Sequence, residues 1–323
     1  MGKAHFRNLE KADTMAINKA MLAALKALSS VDLNVKKTYL AKRKLGNMRS
    51  KLYLRSPLFH PYDQKVILGD HVIPVRVFRP RKVTPKGILF FFHGGGWVTG
   101  NIDTYNRVCV MMAQQTTHIV ISVDYRLAPE NPFPIGLEDC YETVRKIVCG
   151  GGASSAVREV NLIGDSAGGN LAAAVSLMAK DRGDFQVNRQ ILIYPVMGSD
   201  HSDTSPFPSV QENGSQYLLT AKRICDFMDL YIPLEEDRKN PYFSPLLAKN
   251  LSCQPKTLVI TAEFCLLRDE GEAYGQRLRE AGNDVTIIRI QDALHGFFSL
   301  PIRFKQVKET YRYINRFLEE GRL

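Results

Sequence analysis

The spacing of apolar positions changes near residue 60, and that change predicts the architecture. Residues 14–28 (TMAINKAMLAALKAL) place apolar side chains three and four apart, the period of an amphipathic helix. The stretch from there to about residue 55 is polar and basic and reads as further helix and loop. Over 65–78 (KVILGDHVIPVRVF) two β-rich runs flank Gly69 and Asp70, a hairpin signal. Continuous apolar runs follow at 87–92, 118–124, 160–164, 190–195 and 257–261, with another at 284–290. Unbroken Val/Ile/Leu-rich runs suit parallel strands, whose two faces are both kept from water. Helical periods separate most of them, at 103–116, 137–148, 167–180, 270–281 and 304–319. The alternation predicts an α/β fold with about eight mostly parallel strands covered by helices.

One interval breaks the rhythm. Residues 196–256 are rich in Ser, Pro and Asp and carry one helical pattern, at 220–232. That is too long for a plain connection. It reads as an insertion that joins the N-terminal helices as a lid over the C-terminal edge of the sheet. The expected division is a helical cap segment at 1–55, a core at 56–196 and 250–323, and a cap insertion at 197–249.

Composition narrows the function more than the fold. The chain of 323 residues is 45% hydrophobic and 24% charged, ordinary for a soluble globular protein. Its net charge of +10 is unevenly placed: residues 1–60 hold 13 Lys and Arg against 3 Asp and Glu, while 61–323 hold 30 of each. A basic surface attracts anionic substrates, lipid headgroups or nucleic acid. The favoured reading is a solvated face on amphipathic helices, because the basic residues are not interleaved with the aromatics that stack bases. No nucleic-acid partner is therefore expected, and membrane-surface contact through the basic segment is a lesser alternative. Lys19 and Lys26 interrupt the N-terminal apolar stretch, so it is not a secretory signal, and no run approaches a membrane span; the expected address is the cytoplasm. The six cysteines show no Cys-x-x-Cys and no histidine at ligand spacing, which predicts reduced thiols buried as small hydrophobes and no metal site.

Three motifs carry chemistry. LIGDSAGGN (162–170) sets Ser166 between an apolar strand and an Ala-rich helix, with Gly164 and Gly168 two residues to either side. Glycines there permit a sharp strand-to-helix turn that projects a nucleophilic hydroxyl above the sheet. FFFHGGGWVTG (90–100) follows a strand, and its glycines let backbone N–H groups approach a ligand. An ester carbonyl attacked by serine becomes an oxyanion and needs preorganised donors, assigned to the N–H groups of Gly95, Gly96 and Ala167. His93 is expected to anchor this loop by hydrogen bonding. In DALHGFFSLP (292–301), His295 follows the last predicted strand and comes after the serine in the chain, as a catalytic base would. The histidines at 5, 60, 71, 118 and 201 lack that context.

The set HGGGW, DYRLAPENPFP (124–134), GDSAGG, NPYFSPLLA (240–248) and LHGF resembles the hormone-sensitive-lipase-like branch of the α/β-hydrolases. The resemblance runs from about residue 60 to the end, with the N-terminal segment more loosely similar to that family's helical cap. It implies hydrolysis of carboxylic esters with short or medium acyl chains and no metal or organic cofactor. It further implies Ser166 as nucleophile, His295 as base, and Gly95, Gly96 and Ala167 as oxyanion donors.

One position departs from the family. Where its pattern reads Asp-Pro-Leu-x-Asp-Glu-Gly, this chain reads Cys265-Leu266-Leu267-Arg268-Asp269-Glu270-Gly271. The catalytic acid and its proline are missing and the remaining register is kept. A neutral thiol is a weak hydrogen-bonding group, and a thiolate needs help to form at neutral pH. Asp269, four residues on, is the candidate substitute acid, although with Glu272 it also reads as a capping pair for the helix at 270–281. Asp292 and Glu263 are weaker candidates. The leading reading is a serine carboxylesterase of reduced activity; the alternative is a non-catalytic, receptor-like protein on the same scaffold. Phe6, Met21, Leu22, Phe207 and Tyr217 are candidates to line an acyl pocket.

Overall fold

The computed structural model describes residues 34–53, 61–81, 83–150 and 159–320. The predicted helix at 14–28, and Phe6, Met21 and Leu22, lie outside them.

The apolar runs become strands of one eight-stranded sheet ordered β1-β2-β4-β3-β5-β6-β7-β8. β1 (Tyr62–Leu68) and β2 (His71–Phe78) form the expected antiparallel hairpin, with Gly69 at φ 60° in its turn. β2 runs antiparallel to β4 (Ile119–Val123). From β4 onward the sheet is parallel through β3 (Ile88–Phe92), β5 (Val160–Asp165), β6 (Arg189–Ile193), β7 (Lys256–Phe264) and β8 (Val285–Leu294). Every residue of β3 and β5 is buried, so both sheet faces are covered there, as the unbroken apolar run of β3 requires; β5 also buries Asn161 and Asp165.

Eight α-helices accompany the strands among the described residues: α1 (Val35–Tyr53), α2 (Asn106–Thr116), α3 (Ile135–Cys149), α4 (Ala167–Arg182), α5 (Pro208–Asn213), α6 (Ala221–Tyr231), α7 (Arg268–Glu280) and α8 (Lys305–Glu320). The helix expected at 270 begins two residues earlier, at Arg268. The expected capping pair is corrected with it. The N-cap is Leu267 with no side-chain cap; Asp269 N donates instead to Ser209 Oγ at 3.2 Å, and Glu272 accepts from Thr261 and Arg289.

β7 and β8 outrun their predicted lengths. Past a bulge between Ala262 and Phe264, Phe264 pairs with Leu294. That extension has a functional consequence: it ends both strands together, one residue short of Cys265 and His295. A hydrophobic run alone cannot show where pairing stops.

The basic residues of α1 do more than meet solvent. Val35 N and Lys36 Nζ bond Asp226 and Asp229 of α6 at 3.1 and 2.6 Å. Arg43 donates to the carbonyls of Val98 and Ala128, each at 2.6 Å, and pairs with Glu130. The thiol expectation holds in part. All six cysteines are free, yet only Cys109, Cys140 and Cys265 are buried, while Cys149 and Cys253 are exposed and Cys225 is half-buried.

Candidate active site

β5 stops at Asp165 and α4 starts at Ala167, leaving Ser166 alone to turn the chain at φ 56°, ψ −120°. A non-glycine residue there is strained, and strain of this kind collects at functional turns. The Ser166 amide is held by Ile193 O at 2.9 Å. A methyl group on Gly164 would meet the Gly168 carbonyl oxygen at 2.1 Å, and one on Gly168 would meet the Phe92 carbonyl oxygen at 2.0 Å. Both obstacles are backbone, so only hydrogen fits at either position.

His295 Nε2 lies 3.0 Å from Ser166 Oγ. On the other side of the ring, Cys265 Sγ lies 3.2 Å from Nδ1. Burial pushes the Cys265 thiol up to about 12, and desolvation holds the His295 imidazole down, to about 3. Both groups are therefore neutral at physiological pH, with no thiolate–imidazolium pair. The tautomer then matters. For Nε2 to accept the serine proton, Nδ1 must carry hydrogen and donate to sulfur. Leu267 N also points at Sγ, at 3.4 Å, which favours sulfur as an acceptor. Sulfur accepts weakly, so the tautomer is held loosely.

In the glycine loop, Gly95 and Gly96 sit at φ 121° and 62°. Neither amide donates to an acceptor among the described residues, and Ala167, as the first residue of α4, has no intrahelical acceptor. Their φ values suit glycine, and a Cβ on Gly96 would lie 2.4 Å from the Phe227 ring of α6. His93 behaves as expected of an anchor: its Nδ1 is 2.9 Å from Gly94 O, its ring stacks on Tyr125 at 4.4 Å, and its carbonyl accepts from the Tyr125 hydroxyl.

The structure does not bring Asp269 to the imidazole. Its carboxylate accepts from Ser209 N at 2.7 Å and from Arg268 Nε at 2.7 Å. These contacts outweigh burial and hold the carboxyl below its ordinary value. Glu263 instead accepts from Asp292 N at 2.7 Å. Asp269→Asn is therefore expected to keep turnover within about twofold while losing about 1 kcal/mol of stability, measured by paired kinetic and urea-unfolding experiments. Tyr217 is buried and packs on Phe264 at 5.5 Å.

Residue-type reasoning missed three supports. Asp165 receives Gly94 N at 2.9 Å. Asn170 ties Val196 O and Phe243 O to α4 at 2.9 and 2.7 Å. The buried Glu270 accepts from Met197 N at 2.7 Å and lies 2.8 Å from His201 Nε2. Their only sequence signal was membership in the quoted motifs. No cluster of three or more His, Cys, Asp or Glu is placed to hold a metal ion among the described residues.

Residues 89–299 match the family described as alpha/beta hydrolase fold. The chain belongs to that family. Its place is the hormone-sensitive-lipase-like branch, as the motifs implied. It is similar to an arylesterase of Saccharolobus solfataricus, 34% identical over 268 residues that cover 82% of this chain and 86% of the relative. It is likewise similar to an ethyl acetate hydrolase of Pseudomonas putida, 34% identical over 71% of this chain and 73% of that one. Among solved structures, an esterase from Pyrobaculum calidifontis superposes with a TM-score of 0.80 at 33% identity, covering 93% of this chain and 97% of the other.

Proposed function

We propose that this protein hydrolyses carboxylic esters of short to medium acyl chain through a seryl-ester intermediate, slowly for its fold. The observation that carries the reading is the 3.0 Å contact between His295 Nε2 and Ser166 Oγ at a strained strand-to-helix turn. Ser166 Oγ attacks the carbonyl carbon as its proton passes to His295 Nε2. The carbonyl oxygen takes the negative charge, facing the N–H groups of Gly95, Gly96 and Ala167. The C–O bond to the alcohol then breaks, and the alcohol leaves with the proton from His295. Water repeats the sequence on the acyl-serine and frees the acid.

Slowness follows from the acid position. A buried carboxylate holds the histidine tautomer and stabilises the imidazolium formed during attack. Cys265 supplies a weak acceptor and no charge. We read α1 and α6 as parts of a lid, supported by the ion pair between them and by Phe227 lying over Gly96. A cytoplasmic address is supported by six free thiols. Among the described residues no helix is long and apolar enough to cross a membrane.

The test is p-nitrophenyl acetate and butyrate hydrolysis by the protein and by Ser166→Ala. Serine-dependent turnover is expected. Its absence, with tight retention of a small ligand, would transfer the protein to the receptor-like reading.

A further inference from the structure

The buried carboxylate beside the nucleophile has no step in the reaction above, yet it bonds the start of the glycine loop and two tyrosines, one of which packs on the His295 ring. Asp165 is 2% exposed. Its Oδ1 accepts from Gly94 N at 2.9 Å, and its Oδ2 accepts from the hydroxyls of Tyr105 at 3.0 Å and Tyr194 at 3.3 Å. A methyl group on Gly94 would meet the Asp165 carbonyl oxygen at 2.7 Å and Oδ2 at 2.9 Å, so the first residue of the glycine loop is glycine to let this residue in. Tyr194 carries the connection on to the base. Its ring lies 4.8 Å from the His295 imidazole and 5.4 Å from Phe297. It is 1% exposed, and its backbone is held at φ 34°, unusual for a bulky residue.

We propose that Asp165 and Tyr194 are positioning residues that hold the glycine-loop donors and the His295 ring in one frame with Ser166, substituting mechanically for the missing catalytic carboxylate. The proposal rests on the esterase reading for its kinetic consequences. With only a thiol at Nδ1, no ionic partner sets the ring orientation; packing against a fixed Tyr194 can do so. One carboxylate then ties oxyanion loop, base and nucleophile together, since Ser166 is the next residue in the chain.

Protonation enters through the same contacts. Burial raises the Asp165 carboxyl to about 6, opposed by the hydrogen bonds from Gly94, Tyr105 and Tyr194. The titratable groups around it are Tyr105, Tyr125 and Tyr194, kept protonated by burial, the Cys109 thiol, and the imidazoles of His93 and His295 beyond the tyrosines. As pH falls through that value, a charged acceptor of three hydrogen bonds is lost and turnover drops. Removing the Tyr194 hydroxyl takes away one group that favours the ionised form, so the acid limb must move to higher pH.

The experiment compares wild type, Tyr194→Phe and Asp165→Asn in p-nitrophenyl butyrate hydrolysis from pH 4 to 9 (~5 units), with hydrogen exchange of the 93–98 segment followed by mass spectrometry. For Tyr194→Phe we expect kcat to fall about tenfold with KM within about twofold, an acid limb displaced upward, and a melting temperature lowered by only a few degrees. For Asp165→Asn we expect faster exchange at the glycine loop and loss of that limb. An unmoved limb together with unchanged exchange overturns the proposal, whatever happens to kcat. Should wild type show no Ser166-dependent turnover, the esterase reading fails on that control. Exchange alone then decides: wild-type exchange in Asp165→Asn overturns the positioning role, and accelerated exchange upholds it.

Discussion

Cys265→Asp is expected to raise turnover by about 10²–10⁴, the converse of the roughly 10⁴-fold loss when a comparable triad exchanges its aspartate for a neutral side chain. The seat is prepared for a carboxylate. His295 Nδ1 stands 3.2 Å from the present sulfur, and Leu267 N stands 3.4 Å from it. Both become donors to oxygen, which accepts far better than sulfur, and the tautomer with Nε2 free is then fixed. The sign of the pH effect also follows. A carboxylate beside the ring favours its protonated form, so the depressed imidazole of wild type rises and adds a second protonation to the acid limb. The gain should fall on kcat, because the new contact strengthens only as imidazolium forms. Purified variant and wild type assayed side by side with p-nitrophenyl butyrate decide the matter. Equal rates would mean that something other than the acid limits this enzyme.

Gly168→Ala should be the most damaging single methyl group. Its Cβ would sit 2.0 Å from the Phe92 oxygen and 2.6 Å from the Phe92 carbonyl carbon, and neither atom belongs to a side chain that can swing away. The helix must therefore separate from β3. We expect a loss of about 3 kcal/mol of stability, read as a lower urea midpoint. Moving α4 also displaces the Ala167 amide, proposed above as an oxyanion donor, and loss of one such donor costs about 10²–10³ in kcat. A well-folded Gly168→Ala with near-normal kcat would show that the turn tolerates far more than its geometry allows. Gly183→Ala is the contrast: it ends the same helix at φ 72° with no heavy atom within 4 Å of the added carbon, so only backbone strain opposes it.

The parallel sheet was readable because strands buried on both faces are mostly apolar, and β3 (ILFFF) is the extreme case. The nucleophile turn was readable because its glycines are a local requirement imposed within five residues. Cys265 stood out for the opposite reason: it and Leu266 broke the pattern that the family resemblance implies, while Leu267, Asp269, Glu270 and Gly271 kept it. The partner of the imidazole was a different kind of question. Asp269 had the right charge and a plausible spacing, but spacing along a helix does not say which way the helix faces. In the fold its carboxylate turns to Arg268 and Ser209, 60 residues away from the latter in sequence.

By itself, then, the order of residues determined most strands, the helices between them and the strained serine turn. Each is written in local period or local sterics. Only the tertiary structure decided which groups meet: that β7 and β8 end level, setting sulfur against imidazole, and that Asp165 faces Gly94 rather than solvent. Contacts between residues 30 and 71 positions apart depend on register and on which neighbours exclude water, and a linear pattern encodes neither.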